Sequence, residues 1–168
     1  MRLRYLAALI AAGMAFVLTP GMAGHAARAK TAGTPTIVSA FGCIVINGGH
    51  VNRPAGSTIV IRQGFGEFTR GILQDFLNAQ FTIVSVNDAP MFDVSDQWSP
   101  PAQQPDGGWL SRVVVPTGVT LANPGDQMRF TFTLVIAGKV PEVVPGEGPV
   151  GFNGPGLSFG GTCTVTAT

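Results

Sequence analysis

Charged side chains are scarce in this sequence, and neither sign dominates. Only 11% of the residues are charged, with ten basic and nine acidic side chains. Three of the basic residues lie within residues 1–29, so residues 30–168 carry a net charge of −2. Electrostatic binding of nucleic acid or anionic lipid requires an excess of positive charge, which this composition does not provide. We therefore expect no nucleic-acid partner, while the apolar fraction of 45% excludes intrinsic disorder.

Side chains that act as nucleophiles, bases or metal ligands are also few. The sequence has two cysteines, two histidines and no Gly-x-Ser-x-Gly nucleophile motif. The histidine beyond residue 29 is His50, which lies in a Gly- and Asn-rich turn where we expect a surface or loop-packing role. Structural zinc needs four ligands, which two cysteines and one histidine do not supply. The sequence therefore predicts no enzyme, no metal centre and no cofactor.

The first 29 residues have the layout of a secretory signal peptide. A short basic start, an uncharged apolar run over residues 5–18 and a helix breaker at Pro20 follow one another. The apolar run is shorter than the roughly 20 residues of a transmembrane helix. We predict cleavage after Ala26 or Ala29 and a secreted or envelope-located bacterial protein that is not inserted in the membrane. An uncleaved anchor is the alternative.

Cys43 and Cys163 are the two cysteines, and each lies in a β-like run near one end of residues 30–168. In an exported protein such a pair usually forms a disulfide. Closing a loop of about 120 residues contributes on the order of 4–5 kcal/mol in the chain-entropy model. Two buried free thiols are the alternative.

Short β-type runs separated by Gly, Pro and Asn turns fill residues 36–168. The clearest is residues 127–137, where Met128, Phe130 and the next apolar residues alternate with polar ones. Similar runs cover residues 37–46, 57–62, 81–86, 91–94, 109–115 and 162–168, and Pro116 is predicted to end the run at 109–115. Residues 30–35 look like a flexible leader. We predict one all-β domain over residues 36–168, an antiparallel β-sandwich, with a small β-barrel as the alternative.

One segment has helical spacing instead. In residues 69–80 the apolar side chains follow an i, i+1, i+4, i+5 pattern: Ile72, Leu73, Phe76 and Leu77. Thr69 precedes them and is the predicted N-cap. A helix this short is stable only when it is packed. We therefore predict a helical crossover that closes one end of the sheets.

Two runs resemble parts of bacterial immunoglobulin-like domains. Residues 121–132 (LANPGDQMRFTF) are similar to the tight Pro-Gly-Asp corner and alternating strand in the second half of those sandwiches. Residues 54–61 (PAGSTIVI) are similar to their early core strand. The resemblance implies an immunoglobulin-like fold and no particular activity, because such sandwiches serve as adhesins, spacers, binding domains and parts of enzymes. One departure is that the cysteines lie in terminal strands rather than in two inner strands.

The segment from Trp98 to Trp109 is the strongest candidate for ligand recognition. Three prolines stiffen it, which lowers the entropy lost on binding. Gln103, Gln104 and Asp106 add polar groups, and indole faces beside amides suit a sugar ring or a peptide. The alternative is that both tryptophans cap the sandwich and hold the loop down.

Three aspartates, Asp88, Asp93 and Asp96, form the densest group of carboxylates. They are weak candidates for a calcium site, which needs about six to eight oxygen ligands. Turn capping is the simpler role for short carboxylates beside Gly, Pro and Asn. The leading functional hypothesis is a secreted, non-catalytic domain with a structural or binding role. The alternatives are a glycan- or protein-binding module that uses the tryptophan segment, and a small extracellular hydrolase that uses these carboxylates.

Overall fold

The computed structural model describes residues 33–144 and 148–168, so the predicted signal peptide and its cleavage sites lie outside the described residues. Strands dominate, and one α-helix, α1 (Arg70–Ala79), joins two of them. In chain order the strands are β1 (Thr34–Ser39), β2 (His50–Arg53), β3 (Ser57–Glu67), β4 (Gln80–Val86), β5 (Phe92–Asp93), β6 (Ala102–Gln103), β7 (Trp109–Leu121), β8 (Gln127–Ile136), β9 (Val140–Val144), β10 (Gly148–Asn153) and β11 (Gly156–Ala167). No helix in the described ranges is long and apolar enough to cross a membrane.

The strands form two main sheets. Sheet A has the strand order β1-β3-β7-β6, sheet B has the order β2-β11-β8-β4-β5, and β9 and β10 form a separate hairpin. Two parallel pairs, β1 with β3 and β2 with β11, lie at one edge of each sheet. The remaining described pairs are antiparallel. The predicted all-β fold with one short helix is confirmed.

Alternating side chains of both sheets meet in one hydrophobic core. The predicted inward set on β8 is buried, with exposed fractions of 3% or less: Met128, Phe130, Phe132, Leu134 and Ile136. Sheet A contributes Ile59 and Ile61 from β3, together with Val113 and Val115 from β7. Each such side chain contributes about 1.5–3 kcal/mol when it is fully buried. The core therefore lies between the two sheets, as in a β-sandwich.

Helix α1 forms where the helical spacing predicts it. Thr69 is the N-cap, and its hydroxyl accepts the Ile72 N–H at 3.2 Å. Leu73 and Phe76 are fully buried, and the Phe76 ring stacks on Phe65 of β3 with 3.7 Å between the centroids. The remaining apolar side chains of the predicted set pack against the same core. Because α1 links β3 of sheet A with β4 of sheet B, it is the predicted crossover.

The strand predicted at residues 37–46 is wrong in its second half. β1 ends at Ser39, and a π-helical turn follows it. Ser39 Oγ accepts the Gly42 N–H at 3.1 Å, and Gln63 Oε1 accepts the Phe41 N–H at 2.9 Å. These side-chain acceptors bind backbone groups that a continuing strand would present to a neighbouring strand.

The predicted disulfide between Cys43 and Cys163 is confirmed. Cys43 lies in the π-helical turn (Gly42–Ile46) rather than in a strand, and Cys163 lies in β11. The Cα atoms of the two cysteines are 5.9 Å apart, and both residues are buried. At the other end of the same segment, β1 already includes Thr34 and Pro35, so the last two residues of the predicted leader belong to a strand.

Pro116 does not end its strand as predicted. β7 continues past the predicted range of 109–115, and its pairing with β3 is irregular directly after Pro116. The Thr117 hydroxyl donates to the Ile59 carbonyl at 2.6 Å, and Gly118 has a φ of 68°. A bulge of this kind tolerates proline because the ladder hydrogen bond is already interrupted there.

Candidate functional site

The two tryptophans of the predicted recognition segment have different surroundings. Trp98 is 8% exposed, and its ring lies edge-on to Phe76 with 5.4 Å between the centroids. Its Nε1–H donates to the hydroxyl of the buried Thr82 at 3.0 Å. Trp98 thus anchors the segment to the core, as in the alternative in which it caps the sandwich, and it offers little indole surface to a ligand.

Trp109 is half-buried at the start of β7, where it pairs with Glu67 on β3 and with Gln103 on β6. The guanidinium carbon of Arg70, the first residue of α1, lies 5.8 Å from the centroid of the Trp109 ring. A cation over an indole face is attracted to the ring electrons. This contact fixes the indole between the end of sheet A and the start of the helix.

The turn between β6 and β7 is closed by its own hydrogen bonds. The Gln104 N–H donates to the Gly108 carbonyl at 2.7 Å, and the Gly107 N–H donates to the Gln104 carbonyl at 3.0 Å. Asp106 Oδ1 accepts the Gly108 N–H at 3.1 Å, which is the turn-capping role expected of a short carboxylate. Gly107 has a φ of 90°, a conformation that favours glycine. These hydrogen bonds close the turn in the absence of a ligand.

A surface pocket of about 560 Å³ opens where this turn meets the end of β3. Its side-chain lining comes from the end of β3, the turn and the start of β7: Glu67, Phe68, Gln104, Pro105, Asp106, Trp109 and Leu110. We call it the Trp109 pocket. Three of the five predicted site residues line it, namely Trp109, Gln104 and Asp106. Gln103 is exposed on β6 outside the lining, and Trp98 lines a different cavity of about 300 Å³.

Phe68 lines the Trp109 pocket but is not among the predicted site residues. Phe68 is the residue directly after β3, and it is 56% exposed. The predicted strand stops at Arg62, whereas β3 continues to Glu67. The contact between the end of β3 and the tryptophan segment was therefore not predicted. The available signal was the continued alternation of Gln63, Phe65 and Glu67 with glycines.

Two of the three candidate calcium ligands, Asp88 and Asp93, each bind a different protein group. Asp88 forms an ion pair with Arg129 between exposed side chains. Asp93 accepts hydrogen bonds from the Ser95 hydroxyl and, at 2.8 Å, from the Ser95 N–H, and these bonds lower the pKa of Asp93. Asp96 lies in a short 3₁₀ turn. Across the described ranges, no three His, Cys, Asp or Glu side chains are grouped to hold a metal ion.

Neither His50 nor the cysteines form a nucleophile–base pair. His50 is exposed at the start of β2, and its Nε2 lies 3.1 Å from Asn52 Oδ1. Both cysteines are in the disulfide. A base beside a hydroxyl or thiol nucleophile is the arrangement that acyl-transfer chemistry needs, and these residues do not provide it.

No protein-family model, no curated protein and no solved structure matches this chain.

Proposed function

We propose that this chain is an exported, non-catalytic binding domain with an immunoglobulin-like fold, and that its ligand occupies the Trp109 pocket. The observation that carries the proposal is the aromatic surface of Trp109 and Phe68 beside the polar groups of Gln104 and Asp106. Ligand sites are commonly concave and apolar, with a few placed polar groups. Because the turn is closed before binding, little conformational entropy is lost.

The order of the strands supports the immunoglobulin-like part of the proposal. In that sandwich the strands lettered B, E and D are neighbours in one sheet, and G, F and C are neighbours in the other. Here β3-β7-β6 has the first order and β11-β8-β4 has the second. α1 takes the place of the connection between strands B and C, and β1 departs from the pattern because it runs parallel to β3.

Two observations support export. A buried disulfide persists in oxidising compartments and is rare in a reducing cytosol. The first 29 residues have the charge and hydropathy layout of a signal peptide. The domain then works outside the cytoplasm, either at the cell envelope or in the medium.

A sugar ring is the ligand that suits the pocket best. The C–H face of a pyranose packs against an indole or phenyl ring, which combines an apolar surface with a defined geometry. Its hydroxyl groups can donate to Gln104 Oε1 and to the Asp106 carboxylate, and they can accept from the second N–H of the Gln104 amide, whose first N–H donates to the Ala102 carbonyl at 3.1 Å. We therefore propose a glycan ligand, with a protein ligand as the second candidate because Phe68 is exposed enough to serve as an apolar anchor.

The test uses the emission of Trp109 alone. Trp98→Phe removes the buried indole and keeps an aromatic ring in the core, so the remaining emission reports the pocket. Titration with a panel of neutral and acidic oligosaccharides should shift or quench this emission at saturable concentrations. We expect Trp109→Ala to weaken binding about tenfold or more by calorimetry, as aromatic anchors do at other interfaces.

Phe68 and Phe152 provide a matched control. Their side chains are 56% and 60% exposed, and Phe152 lies on β10, outside the pocket lining. Phe68→Ala should weaken glycan binding and Phe152→Ala should leave it unchanged. If no oligosaccharide in the panel alters the emission of the Trp98→Phe variant, the glycan proposal is wrong. Equal weakening by the two Phe variants would remove the assignment to this pocket.

A further inference from the structure

The side of sheet A that faces away from the core carries an apolar row across three strands. Strand alternation places Ile37 of β1 and Val60 of β3 on this outer face, because Val38, Ile59 and Ile61 are buried in the core. Ile37 pairs with Val60, and Val60 in turn pairs with Pro116 of β7. Ile37 is 48% exposed.

Two arginines stand beside this row on the same face. Arg62 pairs with Val114, and Arg112 pairs with Gly64, so the two arginines are diagonal neighbours with Cα atoms about 7–8 Å apart. Both are exposed, and neither side chain makes a hydrogen bond, an ion pair or a ring contact within the described ranges. Neighbouring like charges on a sheet face are mildly destabilising. A carboxylate brought by a partner relieves that repulsion.

The other basic side chains of the described ranges all have partners. Each contacts a carboxylate, a carbonyl or an aromatic ring: Arg53, Arg70, Arg129 and Lys139. The unpartnered positive charge is therefore concentrated on the outer face of sheet A.

Among the described residues, the strands of sheet A place no carboxylate on this outer face. The strands of sheet A contain one acidic residue, Glu67, and alternation places it on the same side as Phe65, which stacks on the core residue Phe76. Gly64 adds no side chain between Arg62 and the end of β3. The outer face is therefore partly apolar and positive.

We propose that the outer face of sheet A binds an acidic protein partner, a function that goes beyond ligand binding in the Trp109 pocket. Carboxylates of the partner pair with Arg62 and Arg112, and its apolar side chains cover the row formed by Ile37, Val60 and Pro116. Charge complementarity selects such a partner and speeds its association. A second copy of this chain does not fit, because face-to-face pairing brings four arginines together.

The probe is a soluble synthetic peptide of repeated Glu-Glu-Val-Val, which presents carboxylates and apolar side chains together on each side of an extended chain. Calorimetry at low and high salt should show binding to the protein that weakens as salt rises. Arg62→Gln/Arg112→Gln should weaken it about tenfold or more, because charge-assisted hydrogen bonds to both guanidiniums are lost. Val60→Thr should also weaken it, since the apolar row is interrupted.

Arg129→Gln/Lys139→Gln is the control that removes the same charge from residues outside sheet A, and it should leave the affinity unchanged. A peptide with Gln in place of Glu should not bind. Failure of the acidic peptide to bind, or equal loss in the two double variants, overturns the proposal. Binding of alginate or phosphatidylglycerol vesicles at least as tight as that of the peptide would assign the face to a polysaccharide or to lipid. None of these outcomes depends on Trp109, so the glycan proposal is tested separately.

Discussion

The Ser95 hydroxyl links β4 with Asp93 of β5. Its Oγ accepts the Thr82 N–H at 2.8 Å and its hydroxyl proton is donated to Asp93. The Ser95 hydroxyl is the larger cause of the lowered pKa of Asp93, and the Ser95 N–H is the smaller one. At the scale of one residue, the Asp93 carboxylate, a predicted calcium ligand, caps a turn. The Ser95 hydroxyl that donates to it also accepts the Thr82 N–H of β4.

Removing this hydroxyl should raise the pKa of Asp93. We expect Ser95→Ala to move it upward toward the ordinary aspartate value, whereas Ser95→Thr, which keeps a hydroxyl, should leave it low. Because the folded-state pKa is depressed, Asp93 stabilises the fold above its ordinary pKa, and this contribution is lost as pH falls through the lowered value. Titration of the carboxyl ¹³C resonance measures both variants, and an unchanged pKa in Ser95→Ala would contradict the assignment.

The candidate site was predictable as a segment but not as a set of side chains. Proline content and two bracketing tryptophans pointed to residues 98–109. Which indole is buried depends on Thr82 and Phe76, which approach Trp98 from β4 and α1. Such tertiary partners have no signature within the segment itself, so the sequence could not separate Trp98 from Trp109.

At the scale of elements, α1 depends on its cap and its packing together. Thr69 supplies the one side-chain acceptor for the first turn, and two fully buried side chains attach the helix to the core. Gly71 lies in the first turn, where it lowers the intrinsic helix propensity. The N-cap therefore adds stability to a helix whose intrinsic propensity is low.

We expect Thr69→Ala to lower the free energy of unfolding by about 0.5–2 kcal/mol, the usual effect of losing an N-cap. Thr69→Ser keeps the acceptor oxygen and should change stability much less. Urea denaturation followed by circular dichroism measures both. Similar losses in the two variants would show that the threonine methyl group, rather than the cap, is responsible.

Elements with strong local patterns were predicted, and elements set by distant contacts were not. The β8 alternation and the α1 spacing were both right because each element buries one side in the core. The strand at residues 37–46 was half wrong, since Gln63 captures the Phe41 N–H from a different strand. The continuation of β7 past Pro116 was not predicted, because a bulge is a property of two paired strands.

At the scale of the whole molecule, the disulfide lies where the chain changes sheets. β1 belongs to sheet A and β2 to sheet B, and the π-helical turn between them carries Cys43. Cys163 lies in β11, which pairs with β2. The bond therefore ties the passage between the two sheets to the last strand of the chain, across 120 residues of sequence.

Loss of this bond should destabilise the domain by on the order of 4–5 kcal/mol, because the unfolded chain regains the entropy of a loop of this length. Cys43→Ala/Cys163→Ala and the wild type reduced with dithiothreitol should show the same midpoint in guanidinium denaturation, because both lack the bond. The two proteins differ in their thiols, which the double variant lacks and the reduced wild type keeps. Agreement between them assigns the loss to the cross-link. If the reduced wild type unfolds at the same midpoint as the oxidised protein, the bond is not a source of stability, and packing of the π-helical turn on β11 holds the two sheets together at this edge.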